Sequence, residues 1–251
     1  KPKWMTNGWG YGGYGGYDED VTYTLLEEDT IALEGNRVEF NEMLQFFMDM
    51  DLADPDFFAQ AESMLDVESM SDYIIVETFW NNTDWPANNQ KYWKPNIDGG
   101  KWRFVLFDTD VSLNSVGYVT EETNNLGRII DDFQHIELIA LWSNLMENPE
   151  YKRYFINRYA DLLNTCYRPE FLEEELIDFL LRMEPEMARH FNKWGNTIGW
   201  WWFYHINPRA RVFVQERPQF ARTQVNSVFK LAGIYNLNIE SWPQGAGTFE
   251  L

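Results

Sequence analysis

From Glu39 to Met50 apolar residues recur at helical spacing, at Phe40, Met43, Leu44, Phe47 and Met48, which predicts an amphipathic helix. Asp54-Pro55 opens a second, with Asp54 as N-cap and Pro55 in the first turn. Asp66 caps a third, running through Met70, Tyr73, Ile74, Glu77, Thr78 and Trp80. The period then changes. Gln90–Pro95 and Lys101–Phe107 are β-prone runs around a turn rich in Asn, Asp and Gly, and this is a hairpin signal. Residues 111–134 read as irregular, a long loop following the hairpin. After His135 the chain is helical again. Ile136–Met146 is one apolar helix; Asn148 caps the next, with Pro149 first and Glu150–Leu163 following. Pro169 starts a long helix reaching His190. Pro208 starts the last, where Pro218 is expected to break or restart the helix before Phe220–Leu231. Val21–Leu26 alternates weakly and reads as one strand. Ile234–Glu240 reads as another, with Gly245-Ala246-Gly247 as the turn after it. The fold class is α+β, mostly α, with a central β-hairpin.

That hairpin carries chemistry. Folded symmetrically about Asp98, it puts Pro95 opposite Lys101 and Asn89 opposite Phe107. Asn89 then lies beside Asp108, although the whole hairpin separates them. Asp84 sits on the loop that feeds the first strand. Two acids and a carboxamide converge at one end of a rigid element, which is the oxygen chemistry of Mg²⁺, a hard cation that keeps positions open for phosphate. Protein kinases place an Asp base and a metal-binding Asn in a D-x-x-x-x-N run, with a second metal-binding Asp beyond it. Asp84, Asn89 and Asp108 have that order. The helix before Asp84 would serve placement, holding the acids in register with the hairpin. Asn81-Asn82-Thr83 is a glycosylation sequon, set aside because it falls at this site.

Asn82-Thr83-Asp84-Trp85-Pro86 with Asn88-Asn89, then Lys101-Trp102-Arg103 leading to Phe107-Asp108-Thr109-Asp110, resembles the CotH kinase family, atypical secreted or surface protein kinases named after a spore coat protein. Asn148-Pro149-Glu150 through Thr165, Met187–His190 with Trp194-Gly195, and Phe213–Arg222 with Glu216-Arg217-Pro218 resemble it as well. The resemblance covers residues 30 to 232. It implies a protein-kinase-like large lobe, ATP and Mg²⁺ as cofactors, a protein hydroxyl as acceptor, and an extracellular or cell-surface location. It implies Asp84 as catalytic base and Asp108 as a Mg²⁺ ligand. Asn89 is expected to join Asp108 in binding cofactor and metal, with Asp110 either a further ligand or a partner of the ligands. The irregular stretch after Asp110 is where a kinase keeps its activation segment.

The family's small lobe lies N-terminal to the matched region, and here Lys1-Pro2-Lys3-Trp4 looks like its tail end, so the small lobe is expected to be largely absent. No lysine can be assigned the phosphate-pairing role. The chain alone is therefore expected to bind Mg²⁺–ATP weakly and to transfer no phosphate. The expected organisation is residues 1–29 as a Gly/Tyr-rich lead-in, 30–232 as the helical lobe, and 233–251 as a β hairpin beginning a following domain. Gly8, Gly10 and Gly13 fit G-x-G-x-x-G literally. A low-complexity run precedes them and Asp18-Glu19-Asp20 follows, so a surface linker is the better reading.

Composition narrows the partners. The 251 residues carry a net charge of −20, which repels nucleic acid and anionic membrane and sets both aside. Nothing approaches the apolar run that a membrane helix needs. The single cysteine, Cys166, excludes an internal disulfide and leaves the compartment open. His135, His190 and His205 lack metal-ligand spacing and read as structural. Trp200-Trp201-Trp202-Phe203-Tyr204 either packs between helices or forms a platform for sugar or peptide. A different function class stays open: a non-catalytic surface or scaffold module binding protein or glycan partners.

Overall fold

The computed structural model describes residues 22–28, 30–115, 119–195 and 207–235. The glycine run before Asp18, the Trp200–Tyr204 cluster, His205 and the expected C-terminal hairpin from residue 236 onward lie outside the described residues. The strands are β1 (Tyr23–Glu27), β2 (Ile31–Glu34), β3 (Lys91–Pro95) and β4 (Arg103–Val105). The helices are α1 (Val38–Asp49), α2 (Pro55–Met64), α3 (Val67–Phe79), α4 (Asn125–Asp132), α5 (Glu137–Leu145), α6 (Pro149–Asn164), α7 (Pro169–Trp194) and α8 (Asn207–Val228). The fold is mostly helical with one antiparallel sheet, strand order β2-β1-β3-β4, an α+β arrangement. Among the described residues no helix is long and apolar enough to cross a membrane.

The chain divides into two compact units. The first comprises the described residues within Lys1–Tyr73, Trp85–Asp108 and His135–Pro149; the second, those within Ile74–Asp84, Thr109–Gln134 and Glu150–Leu251.

In the first unit the hairpin has the expected register, with Lys91 opposite Val105, Tyr92 opposite Phe104 and Trp93 opposite Arg103. Its turn uses Gly99 at φ 69°, and a Cβ on Gly100 would run into the Pro95 carbonyl oxygen. Period-2 alternation turns Tyr92 and Phe104 inward. The Phe40 ring of α1 stacks on Tyr92 at 4.4 Å and meets Trp102 edge-on at 5.2 Å. Tyr73 stacks on Phe104 at 5.3 Å and meets the buried Trp85 at 5.8 Å. Backbone bonds lock the second arm onto the turn between α2 and α3: Trp102 N–H to Met64 O at 2.9 Å and Asp66 N–H to Trp102 O at 3.0 Å. Asp66 caps α3 as expected, accepting from Ser69 N–H at 3.0 Å, and its second oxygen takes Arg103 Nε at 2.8 Å. Asp66→Ala removes both cap and ion pair and should destabilise by about 1–2 kcal/mol, whereas Asp66→Asn keeps the cap and should lose under about 1 kcal/mol. Equal melting points for the two variants would show that the cap contributes nothing.

In the second unit Phe79 stacks on Tyr167 at 3.9 Å and Trp80 on Phe213 at 5.8 Å, so α8 and the turn between α6 and α7 bury the end of α3. Two expectations are corrected here. Residues 111–134 are not irregular throughout, because α4 occupies Asn125–Asp132. Asn124 caps it, its side chain accepting from Gly127 N–H at 3.0 Å, and a Cβ on Gly127 would collide with that side chain. The helix is short and rich in weak helix formers; burial of Leu126 and Ile129 overrides propensity. Pro218, for its part, does not break α8, which runs unbroken to Val228. Its missing N–H removes one bond, but Phe213, Val214, Arg217, Pro218, Ala221 and Val225 form one buried face whose packing keeps the helix going. The long helix likewise passes Pro185 and ends at Trp194, beyond His190.

Candidate functional site

The loop bearing Asp84 begins where α3 ends. Asn81 takes the left-handed conformation, φ 54°, and Asn82 N–H reaches back to Glu77 O at 3.1 Å, a Schellman-type stop. Asn tolerates that conformation better than other side chains. The last turn of a helix leaves carbonyls without intrahelical donors, and here each finds one. Glu77 O and Asn82 O both accept from the Asn125 amide, at 3.3 and 3.1 Å. Thr78 O and Phe79 O accept from Arg217 Nη2 and Nε at 2.9 and 2.8 Å. Trp80 O accepts from Leu113 N–H at 3.2 Å.

Arg217 is fully buried, and its Nη1 also donates to Glu121 O at 2.8 Å and Thr123 O at 3.0 Å. Burial lowers its pKa to about 10, against the influence of the Tyr159 phenol, so it stays charged at neutral pH. A cation at a helix C-terminus is where the macrodipole favours one. One guanidinium thus ties the end of α3 to the segment leading into α4.

Asp84 lies half-buried on its loop. Thr83 N–H bonds Val111 O at 3.4 Å, and together with the Leu113–Trp80 bond this runs the loop antiparallel to residues 111–113. Asp84 and the exposed Asp110 each lie one residue beyond the Thr83–Val111 bond, at the same end of that pairing. Leu113 and Asn114 are both left-handed, at φ 56° and 57°, conformations a Leu adopts only under tertiary constraint.

Asn89 and Asp108 belong to the first unit, and the hairpin brings them together as its register requires. Asn89 Nδ2 donates to Asp108 O at 3.3 Å. Both residues are left-handed, φ 63° and 52°, and the Asp108 side chain is exposed. Lys91 Nζ sits over the Phe107 ring at 3.9 Å, so the outward face of the hairpin stays paired past the last ladder bond. Asp84 with Asp110, and Asn89 with Asp108, are therefore two juxtapositions, one in each unit.

Glu77, Asn82, Asn125 and Arg217 make up the support of this region, and the residue patterns gave them no role. Glu77 is 1% exposed, and neither carboxylate oxygen has a well-formed hydrogen bond. Burial pushes its carboxyl up to about 8; the Asn82 side chain lies against it and opposes the shift, although the contact falls short of full hydrogen-bond geometry. The signal was its position: Glu77 falls on the apolar stripe of α3 with Met70, Tyr73 and Ile74.

No curated protein and no solved structure matches the chain. The model of the CotH kinase protein family matches residues 14–226, which includes the loop of Asp84, the hairpin, Asp108 and Asp110, and the buried Arg217. On that match, spanning most of its length, the chain belongs to the CotH kinase family.

Proposed function

We propose that this chain is a kinase-like lobe which, within the protein that carries it, serves transfer of the terminal phosphoryl group of Mg²⁺–ATP to a protein hydroxyl, on proteins outside the cell or at its surface. Asp84 accepts the proton of the acceptor hydroxyl; Asn89 and Asp108 hold the metal, and Asp110 serves as a further ligand. The observation that carries this reading is the Asn89–Asp108 juxtaposition inside a chain of this family.

The donors suit the ion. Asn89 uses its amide nitrogen toward Asp108 O, and the amide oxygen is the atom a hard cation takes. Among the described residues no group of three or more His, Cys, Asp or Glu could hold a metal. Mg²⁺ binds through one or two carboxylates and completes its shell with water and phosphate oxygens. Bound there, the ion would neutralise charge on the phosphates. The protein's own work is positioning. The stop of α3 fixes the approach to Asp84, and the hairpin fixes Asn89 against Asp108.

The test is calorimetric titration of ATP with and without Mg²⁺, together with incorporation of labelled γ-phosphate, on the protein that carries this chain. ATP binding should require Mg²⁺, and label should appear on Ser or Thr hydroxyls. Asp108→Asn should raise the Mg²⁺ concentration needed by about tenfold or more, since even weaker changes around metal ligands cost that much. ATP binding that ignores Mg²⁺, or no label on any protein, would return the scaffold reading.

A further inference from the structure

Four polar atoms lie buried and unpartnered beside each other at the end of α3: Glu77 Oε1 and Oε2, and Asn82 Oδ1 and Nδ2. The two side chains are in contact, and Glu77 and Asn82 are 1% and 0% exposed. An ionised carboxylate can only accept, so it would serve the amide nitrogen and leave Asn82 Oδ1 facing negative charge without a donor. A protonated carboxyl is the complement of a carboxamide. Its O–H donates to Oδ1 while its carbonyl oxygen accepts from Nδ2–H, and all four atoms are satisfied by one reciprocal pair.

We infer that Glu77 is a positioning residue that works in its proton-bearing form, pairing with the Asn82 side chain to hold the backbone leading to Asp84. The surroundings fit a neutral group. Arg128 of α4 donates to Asn125 Oδ1 at 2.7 Å, Arg217 of α8 is occupied by the carbonyls of Thr78 and Phe79, and the Tyr159 phenol of α6 interacts with Arg217 and Thr78. None of them gives the Glu77 carboxyl a hydrogen bond. A negative charge at a helix C-terminus also opposes the macrodipole. Burial, which moves this carboxyl from 4.5 up to about 8, acts in the same sense.

The consequence is a pH dependence of defined sign. The folded state binds this proton more tightly than the unfolded chain does. Stability from the pair is complete below about 4.5, falls as pH rises from there to about 8, and is lost above it. Ionisation would keep only the Nδ2 contact, leave Asn82 Oδ1 against negative charge without a donor, and so loosen the approach to Asp84.

The experiment needs no enzymatic assay. The side-chain carboxyl of ¹³C-labelled Glu77 is followed by NMR from pH 4 to 10, with the Asn82 amide protons in the same spectra. Glu77 should titrate near 8, and the Asn82 protons should move with it. Melting temperatures of wild type and Glu77→Gln over the same range supply the second readout. Gln can donate and accept as the neutral acid does, so its melting curve should be flatter with pH and lie above wild type at pH 9. Glu77→Leu should melt lower than Glu77→Gln at every pH, because it strands the Asn82 amide. Titration of Glu77 at the ordinary carboxylate value, or Asn82 protons unmoved by it, overturns the inference. So does a Glu77→Gln melting profile that parallels wild type. The part concerning Asp84 rests on the proposed function: phosphoryl transfer by wild type should fall above pH 8, and this alkaline loss should be absent in Glu77→Gln. Absence of transfer at every pH would count against the kinase reading, while the NMR and melting results still decide the Glu77–Asn82 pair.

Discussion

Arg217→Met should destabilise the protein by about 3–5 kcal/mol, the loss typical when one side of a buried, hydrogen-bonded charge arrangement is removed. Met fills much of the same volume, so the loss is not mainly a cavity. It comes from four carbonyl oxygens, of Thr78, Phe79, Glu121 and Thr123, left inside the second unit without their donors. Each stranded buried acceptor costs about 1–3 kcal/mol before relaxation, and partial access of water brings the sum down. For a chain of this length the melting temperature should drop by roughly 10 °C. Arg217→Lys should recover only a small part, because an ammonium cannot present the planar fork that spans Thr78 O and Phe79 O on one side and Glu121 O and Thr123 O on the other. Urea and thermal denaturation measure this directly. A loss below about 1 kcal/mol in Met would mean that water replaces the guanidinium, and that the junction between α3 and α4 is held by packing and by the Asn125 amide.

What could be read from the residues follows from how local each signal is. The caps at Asp54 and Asp66, the proline starts at Pro55, Pro149 and Pro169, and the hairpin register are set by neighbours in sequence, and the structure has them where local rules put them. The Asn89–Asp108 contact was legible for the same reason, since register plus a short turn determines it. β2 and α4 were not legible. β2 is exposed along its length and exists because β1 offers it an edge. α4 depends on burying Leu126 and Ile129, and on an Asn125 amide that bonds the end of α3, a partner far away in sequence. Pro218 misled because a local rule was applied where a buried face decides. The support of Asp84 was half visible. Glu77 and Arg217 sat among apolar residues at helical spacing, a buried-polar signal, but which carbonyls and amides they meet is a property of the folded chain.

Asp84→Asn should separate chemistry from folding. The substitution keeps shape and volume and removes one charge on a half-buried loop residue, so stability should change by less than about 0.5 kcal/mol. The backbone there is held by the Schellman stop at Asn81 and Asn82, the Thr83–Val111 bond and the Arg217 fork, all of which Asp84→Asn leaves in place. A base that takes the acceptor proton typically contributes about 10² to 10⁴ in rate, and an amide cannot take that proton. Phosphoryl transfer by Asp84→Asn in the protein that carries this chain should therefore fall by that factor at an unchanged melting temperature, with Mg²⁺–ATP binding retained. Asp108→Asn provides the contrast. Its loss should come through metal affinity, so raised Mg²⁺ or Mn²⁺ should restore part of its activity and none of that of Asp84→Asn. If Asp84→Asn lowers the melting temperature by several degrees while the folded fraction keeps its rate, Asp84 holds the loop rather than the proton. The base would then have to be sought elsewhere, and Asp110, at the same end of the Thr83–Val111 pairing, is the first residue to test.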